Sequence, residues 1–411
     1  MGPVLIFDKS TLQALNVDQA VWLDQFFISN ITPLFWVETL ADLEKKIRKN
    51  VDRSPEDIVA NLALKTPDSS SKINVHHGTL ISAELLDGTE IDMRWGRVII
   101  PYIKPLELEG KKGIVCNPSP EEEAFKRWRD KQFLDLERTI AKKWRQALSN
   151  TDLRSKCDGV RSILQNSKPK TLSEVKQLND KFLGSDDQED VIRFVLRFFG
   201  IPLQQQEQIL SRWEKANKPL LRQFAPYFHY VVSVDLFFYL AIGSDLISSE
   251  RPSHKVDLAY LYYWPFCNVF SSNDKLHAEL APFFLNDSQI FLKGSDLKAD
   301  LSKLNEYYLN LPEDVKQSGV FAFASHPPFD GDFFVSKLWD KYLPQWRLIF
   351  LEYEEKSKLK MTKEANQSKK HDAVTENLTQ QTEITDQENE MDPIIISRQA
   401  LKVKGSRKRL S

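Results

Sequence analysis

An α/β fold built on a parallel sheet is what the sequence predicts, and the order of its first elements carries that expectation. Val4-Leu5-Ile6-Phe7 is a short, continuous apolar run with β-branched and aromatic content, the pattern of a buried strand, and it ends in Asp8. From Val17 to Ser29 the apolar residues Val17, Ala20, Val21, Leu23 and Phe27 fall at mostly helical spacing. A second apolar run from Ile31 to Val37, broken by Pro33, leads directly into a helical stretch that opens at Glu38. Strand, helix, strand, helix in such close succession is the signature of parallel α/β architecture.

The rest of the chain interrupts that pattern and then resumes it. Ile73 to Ile103 reads as β-rich, with Asp87-Gly88 as a hairpin signal. From Pro120 to about Leu221 the sequence turns helical. Ala225 to Ile247 is strongly apolar but carries His229, Asp235 and Asp245, which would be costly in a bilayer, so it reads as a buried helix of a protein core. Ser253 is placed to cap a helix carrying Asp257, and a strand at Asn268-Val-Phe-Ser-Ser precedes Asp274. Residues 283–350 remain globular, whereas 354–411 are rich in Gln, Glu, Thr and Lys and end in Arg407-Lys408-Arg409, a composition expected to stay disordered. The expected organisation is therefore a core in two halves, 1–60 and 225–353, around an inserted β-then-helical module, 61–224, with a disordered tail, 354–411.

Composition narrows the function classes. The 411 residues include 56 Lys+Arg against 58 Asp+Glu, a formal charge of −2, which excludes a strongly basic DNA-coating protein. Three cysteines, Cys116, Cys157 and Cys267, are too few and too scattered for a disulfide framework or a cysteine zinc cluster. The opening residues lack the pattern of a signal peptide, so a cytoplasmic setting without membrane attachment is expected. No phosphate-binding glycine loop, dinucleotide fingerprint, nucleophile elbow or HExxH occurs.

Four acids stand out by position. Asp8 ends the first strand, Glu38 follows the second, Asp257 lies in the first turn of a late helix, and Asp274 follows the last clear strand. In an open parallel sheet, ligands bind beyond the carboxyl ends of the strands, so these side chains can converge from remote stretches of chain. Converged carboxylates repel one another, and a hard cation offsets the repulsion. Mg²⁺ suits oxygen donors and pairs with phosphates. The expected chemistry is metal-dependent phosphodiester hydrolysis.

The blocks VLIFDKSTL, PLFWVETLADL and VDLAYLYYWPFCNVFSSNDK resemble those of PIN-domain nucleases. That resemblance covers about residues 3–50 and 225–295. It implies a PIN-like core and a Mg²⁺- or Mn²⁺-dependent nuclease, usually acting on RNA, with Asp8, Glu38, Asp257 and Asp274 as the metal-binding and catalytic set. The 219 positions between Glu38 and Asp257 depart from the compact family pattern, hence the inserted module. A competing expectation is a PIN-like scaffold that no longer cuts and serves as a binding module, with a protein partner on the insertion or tail. A nuclease held inactive by a partner is a third.

Secondary candidates surround these four. Ser10, Ser272 and Asn273, with Thr11 and Ser271, are close enough in sequence to support the acids. Asp235 reads as a fifth site acid or, preferably, a satisfied core hydrogen-bonder, and Asp42 as a solvated residue one turn after Glu38. Lys126, Arg127, Arg129, Lys142, Lys143 and Arg145, interleaved with aromatics, are candidate nucleic-acid contacts. Neighbouring acids nearly cancel that charge, so an amphipathic helix with Trp128, Leu134 and Trp144 turned to the core is the stronger reading. His76-His77, in a strand-like stretch without nearby cysteine, is assigned to surface or loop chemistry rather than zinc.

Overall fold

A computed structural model describes residues 2–45, 53–68, 71–94, 103–108, 111–116, 118–164 and 169–353. The expected disordered tail, with Arg407-Lys408-Arg409, lies outside the described residues. Seven strands occur among them: β1 (Val4–Phe7), β2 (Ile28–Ile31), β3 (Ser71–Ile73), β4 (Ile103–Leu108), β5 (Lys111–Cys116), β6 (Val269–Ser272) and β7 (Ile290–Lys293). Five form a wholly parallel sheet in the order β3-β2-β1-β6-β7. The chain winds outward from β1 on one side, then returns to its other side with β6. The strand order reverses between β1 and β6, and that point is where open α/β sheets form a crevice.

β1 is central and buried along its whole length, which is why it reads as an unbroken apolar run. Its register sets Leu5 against Val269 and Phe7 against Ser271. β2 corrects the expected boundaries: the preceding helix ends at Phe26, the strand is Ile28–Ile31, and a new helix spans Pro33–Ala41. Buried Ser29 and Asn30 sit in the strand and hid it from an apolar pattern. Asn30 donates its side-chain amide to the Phe266 carbonyl at 3.1 Å. Pro33 does not break a strand. It occupies the first helical turn, where a missing N–H costs nothing, with Thr32 as the cap. Glu38 therefore lies inside this helix rather than at its start.

The expected hairpin at Asp87-Gly88 is also corrected. His77–Ser82 is helical, Ala83–Asp87 is a π-helical turn, and Gly88 closes it with φ of 72°. The left-handed conformation explains the glycine, and the same dipeptide that suits a hairpin suits a helix end. β4 and β5 form the hairpin instead, pairing Ile103 with Cys116 through Leu108 with Lys111, apart from the main sheet. β3 joins the main sheet from beyond residue 60, and β7, unread in the sequence, closes its other edge. Ser253 precedes the helix His254–Tyr260, but its side chain makes no capping bond.

Helices of residues 120–183 pack on other helices of the molecule: Pro120–Arg129 on Pro55–Lys65, Asp135–Ser149 on Pro33–Ala41, and Leu172–Leu183 on Pro226–Gly243. Trp36 stacks on Trp128 at 5.4 Å. Trp128 is buried and Trp144 half-buried, but Leu134 is 50% exposed, against expectation. Pro226–Gly243 is buried on nearly all sides, as its apolar sequence requires. Among the described residues no helix is long and apolar enough to cross a membrane.

The amino end of that central helix is held by Glu84, buried in the π-helical turn, whose carboxylate accepts the N–H groups of Tyr227 at 2.9 Å and Phe228 at 2.7 Å. Burial raises the Glu84 pKa, while these two hydrogen bonds and the Arg212 guanidinium act to lower it. A charge-assisted cap satisfies two otherwise orphaned donors. Glu84→Ala is expected to lower unfolding free energy by about 2 kcal/mol, read as a lower denaturant midpoint. An unchanged midpoint would remove Glu84 as the anchor.

Candidate functional site

Asp8 leaves β1 at the strand-order reversal. Its N–H continues the ladder by donating to the Ser271 carbonyl at 3.1 Å. Its carboxylate caps the helix Lys9–Ala14, accepting the Thr11 N–H at 2.9 Å. The Ser10 hydroxyl lies 2.9 and 2.7 Å from its two oxygens, and Ser272 Oγ lies 2.8 Å from Oδ2. Asp8 is 5% exposed, so this carboxylate is buried and orientated at once.

Asp274 follows β6 and caps the helix Lys275–Phe284, accepting the Leu276 N–H at 2.7 Å, while its own N–H donates to Ser272 Oγ at 2.9 Å. Asn273 donates its N–H to Ser10 Oγ at 3.1 Å and accepts the Ser295 N–H at 2.9 Å. Ser10 and Ser272 therefore contact the Asp8 carboxylate as expected of supporting residues, whereas Asn273 bonds to Ser10 and Ser295 rather than to an acid. Gly294 makes this close packing possible: a Cβ there would stand 2.6 Å from Asn273 Nδ2 and 2.8 Å from Thr11 Oγ1.

Glu38 accepts a hydrogen bond from the Tyr260 hydroxyl at 2.5 Å. Burial raises its pKa, Lys9 and Tyr260 oppose the rise, and Asp8 and Asp42 add to it. Asp257 is half-buried one helix away, and its pKa is pushed from 3.8 up to about 8. Burial is the largest cause, followed by the charges of Asp274, Glu38 and Asp8, with Lys9 acting against them. The four acids singled out in the sequence thus share one electrostatic neighbourhood. All their donor atoms are oxygen and the surroundings exclude much water, which fits the chemistry of a hard divalent cation. As the side chains lie, with three carboxylates turned to protein donors, no group of three His, Cys, Asp or Glu among the described residues is set to hold an ion directly.

Three residues of the site were not foreseen. His277 is fully buried, with Nε2 2.7 Å from the Asp257 carbonyl and Nδ1 2.8 Å from Ser272 Oγ. A carbonyl only accepts, so Nε2 carries a proton. The ring therefore links the Asp257 backbone, through Ser272, to Asp8. Its signal was its place one turn after Asp274, on the inner face of the same helix. Lys9 donates to the Glu38 carbonyl at 3.2 Å and pairs with Asp42 at 3.0 Å. Tyr260, the third, is the last residue of the helix that carries Asp257.

Other expectations are corrected by position. Asp42 is fully buried rather than solvated, and Arg145 pairs with it at 3.0 Å. Asp235 is not a fifth acid of this site but the core hydrogen-bonder preferred from the sequence: it lies in a separate cluster, where Lys255 Nζ is 2.6 Å away and the Tyr262 hydroxyl also donates to it. Of the cations proposed for nucleic acid, Arg127 pairs with Glu137, Arg129 with Asp68 and Arg145 with Asp42, so three are engaged within the protein. Lys126, Lys142 and Lys143 are exposed.

Because folding raises the Asp257 pKa, the folded chain keeps a proton that the unfolded chain has lost between about pH 4 and about 8. Stability in metal-free buffer is expected to fall as pH rises through that window. Asp257→Asn is expected to remove part of the decline, measured as melting temperature against pH for both proteins. Parallel curves would contradict the shared-charge account. No protein-family model matches the chain, and no matching curated protein or solved structure was found.

Proposed function

We propose that the chain is a divalent-metal-dependent endonuclease that hydrolyses phosphodiesters in RNA on a PIN-like core. The observation supporting this reading is the meeting of Asp8, Glu38, Asp257 and Asp274 at the strand-order reversal, with Asp257 pushed up to about 8 by burial and by its three neighbours. Such crowded, desolvated like charges favour binding of a cation. Asp8, Glu38, Asp257 and Asp274 would hold Mg²⁺ or Mn²⁺, which when bound supplies Lewis-acid polarisation of the scissile phosphate and activation of water. Ser10, the Thr11 N–H and Ser272 orient Asp8, and Tyr260 orients Glu38. Lys9 favours the ionised forms of Glu38 and Asp257. RNA as substrate follows from the resemblance of the three sequence blocks.

A second reading, a PIN-like scaffold that binds without cutting, is favoured by the protein hydrogen bonds that already engage Asp8, Glu38 and Asp274. The two separate on one set of measurements. With Mg²⁺ or Mn²⁺ the nuclease cleaves single-stranded RNA and its melting temperature rises with ion concentration. Asp8→Asn and Asp274→Asn each lower cleavage by at least about 100-fold and abolish the ion-dependent rise, while the ion-free melt persists. Neither cleavage nor ion-dependent stabilisation in the unaltered chain would leave the scaffold reading.

A further inference from the structure

A second polar cluster stands on the same rim of the sheet as the acids. β3 ends at Ile73, and Asn74 continues its pairing by donating its N–H to the Ile31 carbonyl at 2.8 Å. The Asn74 side chain is 2% exposed, and among the described residues neither its amide nitrogen nor its oxygen has a hydrogen-bond partner. His76 follows, exposed, with its ring stacked on His77 at 4.2 Å and 29°. His77 packs against Tyr262 at 4.9 Å. Lys255 lies over the Tyr262 ring at 5.6 Å, and both residues are hydrogen-bonded to Asp235 of the central helix. The column is thus anchored in the core and ends at the exposed residue His76.

Its hydrogen bonds fix the protons. The His76 Nδ1 accepts the Gly78 N–H at 3.1 Å, leaving Nε2 as the protonated atom of the neutral ring. Tyr263 Oη accepts the His77 N–H at 2.9 Å and lies 3.1 Å from His77 Nδ1, to which its hydroxyl can donate. Burial lowers the pKa of both rings, that of His77 to about 3. Both are uncharged near neutral pH. Capping a helix needs only a small acceptor such as Asn, so capping alone does not account for an exposed imidazole stacked on a second one.

β3 lies two strands from β1, roughly 10 Å at the usual strand spacing, and parallel strands turn their carboxyl ends to one rim. We propose that the exposed face of His76 is a stacking platform for an unpaired base of single-stranded RNA lying along the rim beside the acidic centre. Unpaired bases stack on flat side chains, including histidine, without requiring a charge. The assignment of RNA rests on the nuclease reading, whereas the platform geometry does not.

The test uses the full chain in EDTA, where no metal-dependent cutting occurs, with a fluorescent single-stranded oligo(A) RNA followed by anisotropy. His76→Asn keeps a helix cap and removes the aromatic face, whereas His76→Phe keeps the face and removes the cap. Affinity is expected to fall about 5- to 100-fold in His76→Asn, by a similar factor at low and high salt, and to stay within about 3-fold in His76→Phe. The melting temperature is expected to show the reverse order. Unchanged binding in His76→Asn, equal losses in both variants, or no binding by the unaltered chain would overturn the platform. Cleavage by the unaltered chain with Mg²⁺ distinguishes the readings: cutting with His76-independent binding sinks the platform alone, and His76-dependent binding without cutting sinks the nuclease alone.

Discussion

The hydrogen bond from the Asp8 N–H to the Ser271 carbonyl extends the parallel ladder between β1 and β6 past the last paired strand residue. It places one end of the chain's first strand against a strand more than 260 residues later, and Ser272 then reaches the Asp8 carboxylate across a separation of 264 positions. Everything at the acidic centre depends on that pairing. Backbone geometry fixes the strands to within a residue, because a shift by one would turn every side chain to the opposite face. Asp8 and Asp274 consequently meet as neighbouring helix caps. Each carboxylate stabilises a helix start.

Bringing acids together away from water has an electrostatic cost that the fold partly offsets. The compensation is asymmetric. Asp42 receives Lys9 and Arg145, whereas the Asp257 carboxyl is displaced upward because burial and three neighbouring carboxylates act on it together. Arg145 comes from the middle stretch of residues 61–224, so that stretch reaches the centre through Asp42 and Lys9. Its helices also cover the flank of the sheet through Trp128, and its π-helical turn supplies Glu84 to the central helix. The middle stretch is therefore part of the scaffold that holds the acids. Removing one member of such a buried ionic chain leaves the others unbalanced.

Legibility followed physical visibility in the local pattern. Val4–Phe7 was readable because a buried parallel strand is a continuous apolar run, and Val269–Ser272 because Val269 and Phe270 open it with strand-forming side chains. β2 was misplaced because Ser29 and Asn30 are buried polar residues whose environment comes from distant chain, including the Phe266 carbonyl. Asp87-Gly88 misled because a left-handed glycine closes helices as well as hairpins. Asp8 and Asp274 were legible from their positions after strands. His277 and Lys9 were not, since a lone histidine or lysine acquires meaning only from what it touches.

By itself, the sequence determined which stretches could be buried strands, which helix must be internal, and which acids follow strand ends. These properties depend on residues within a few positions of one another. Only the tertiary structure decided the strand order, the burial of Asp42, the separation of Asp235 from the other acids, and the meeting of Asp8, Glu38, Asp257 and Asp274. Those outcomes arise from pairing and packing across hundreds of residues, and dielectric surroundings, charge proximity and proton position exist only after the chain has closed on itself.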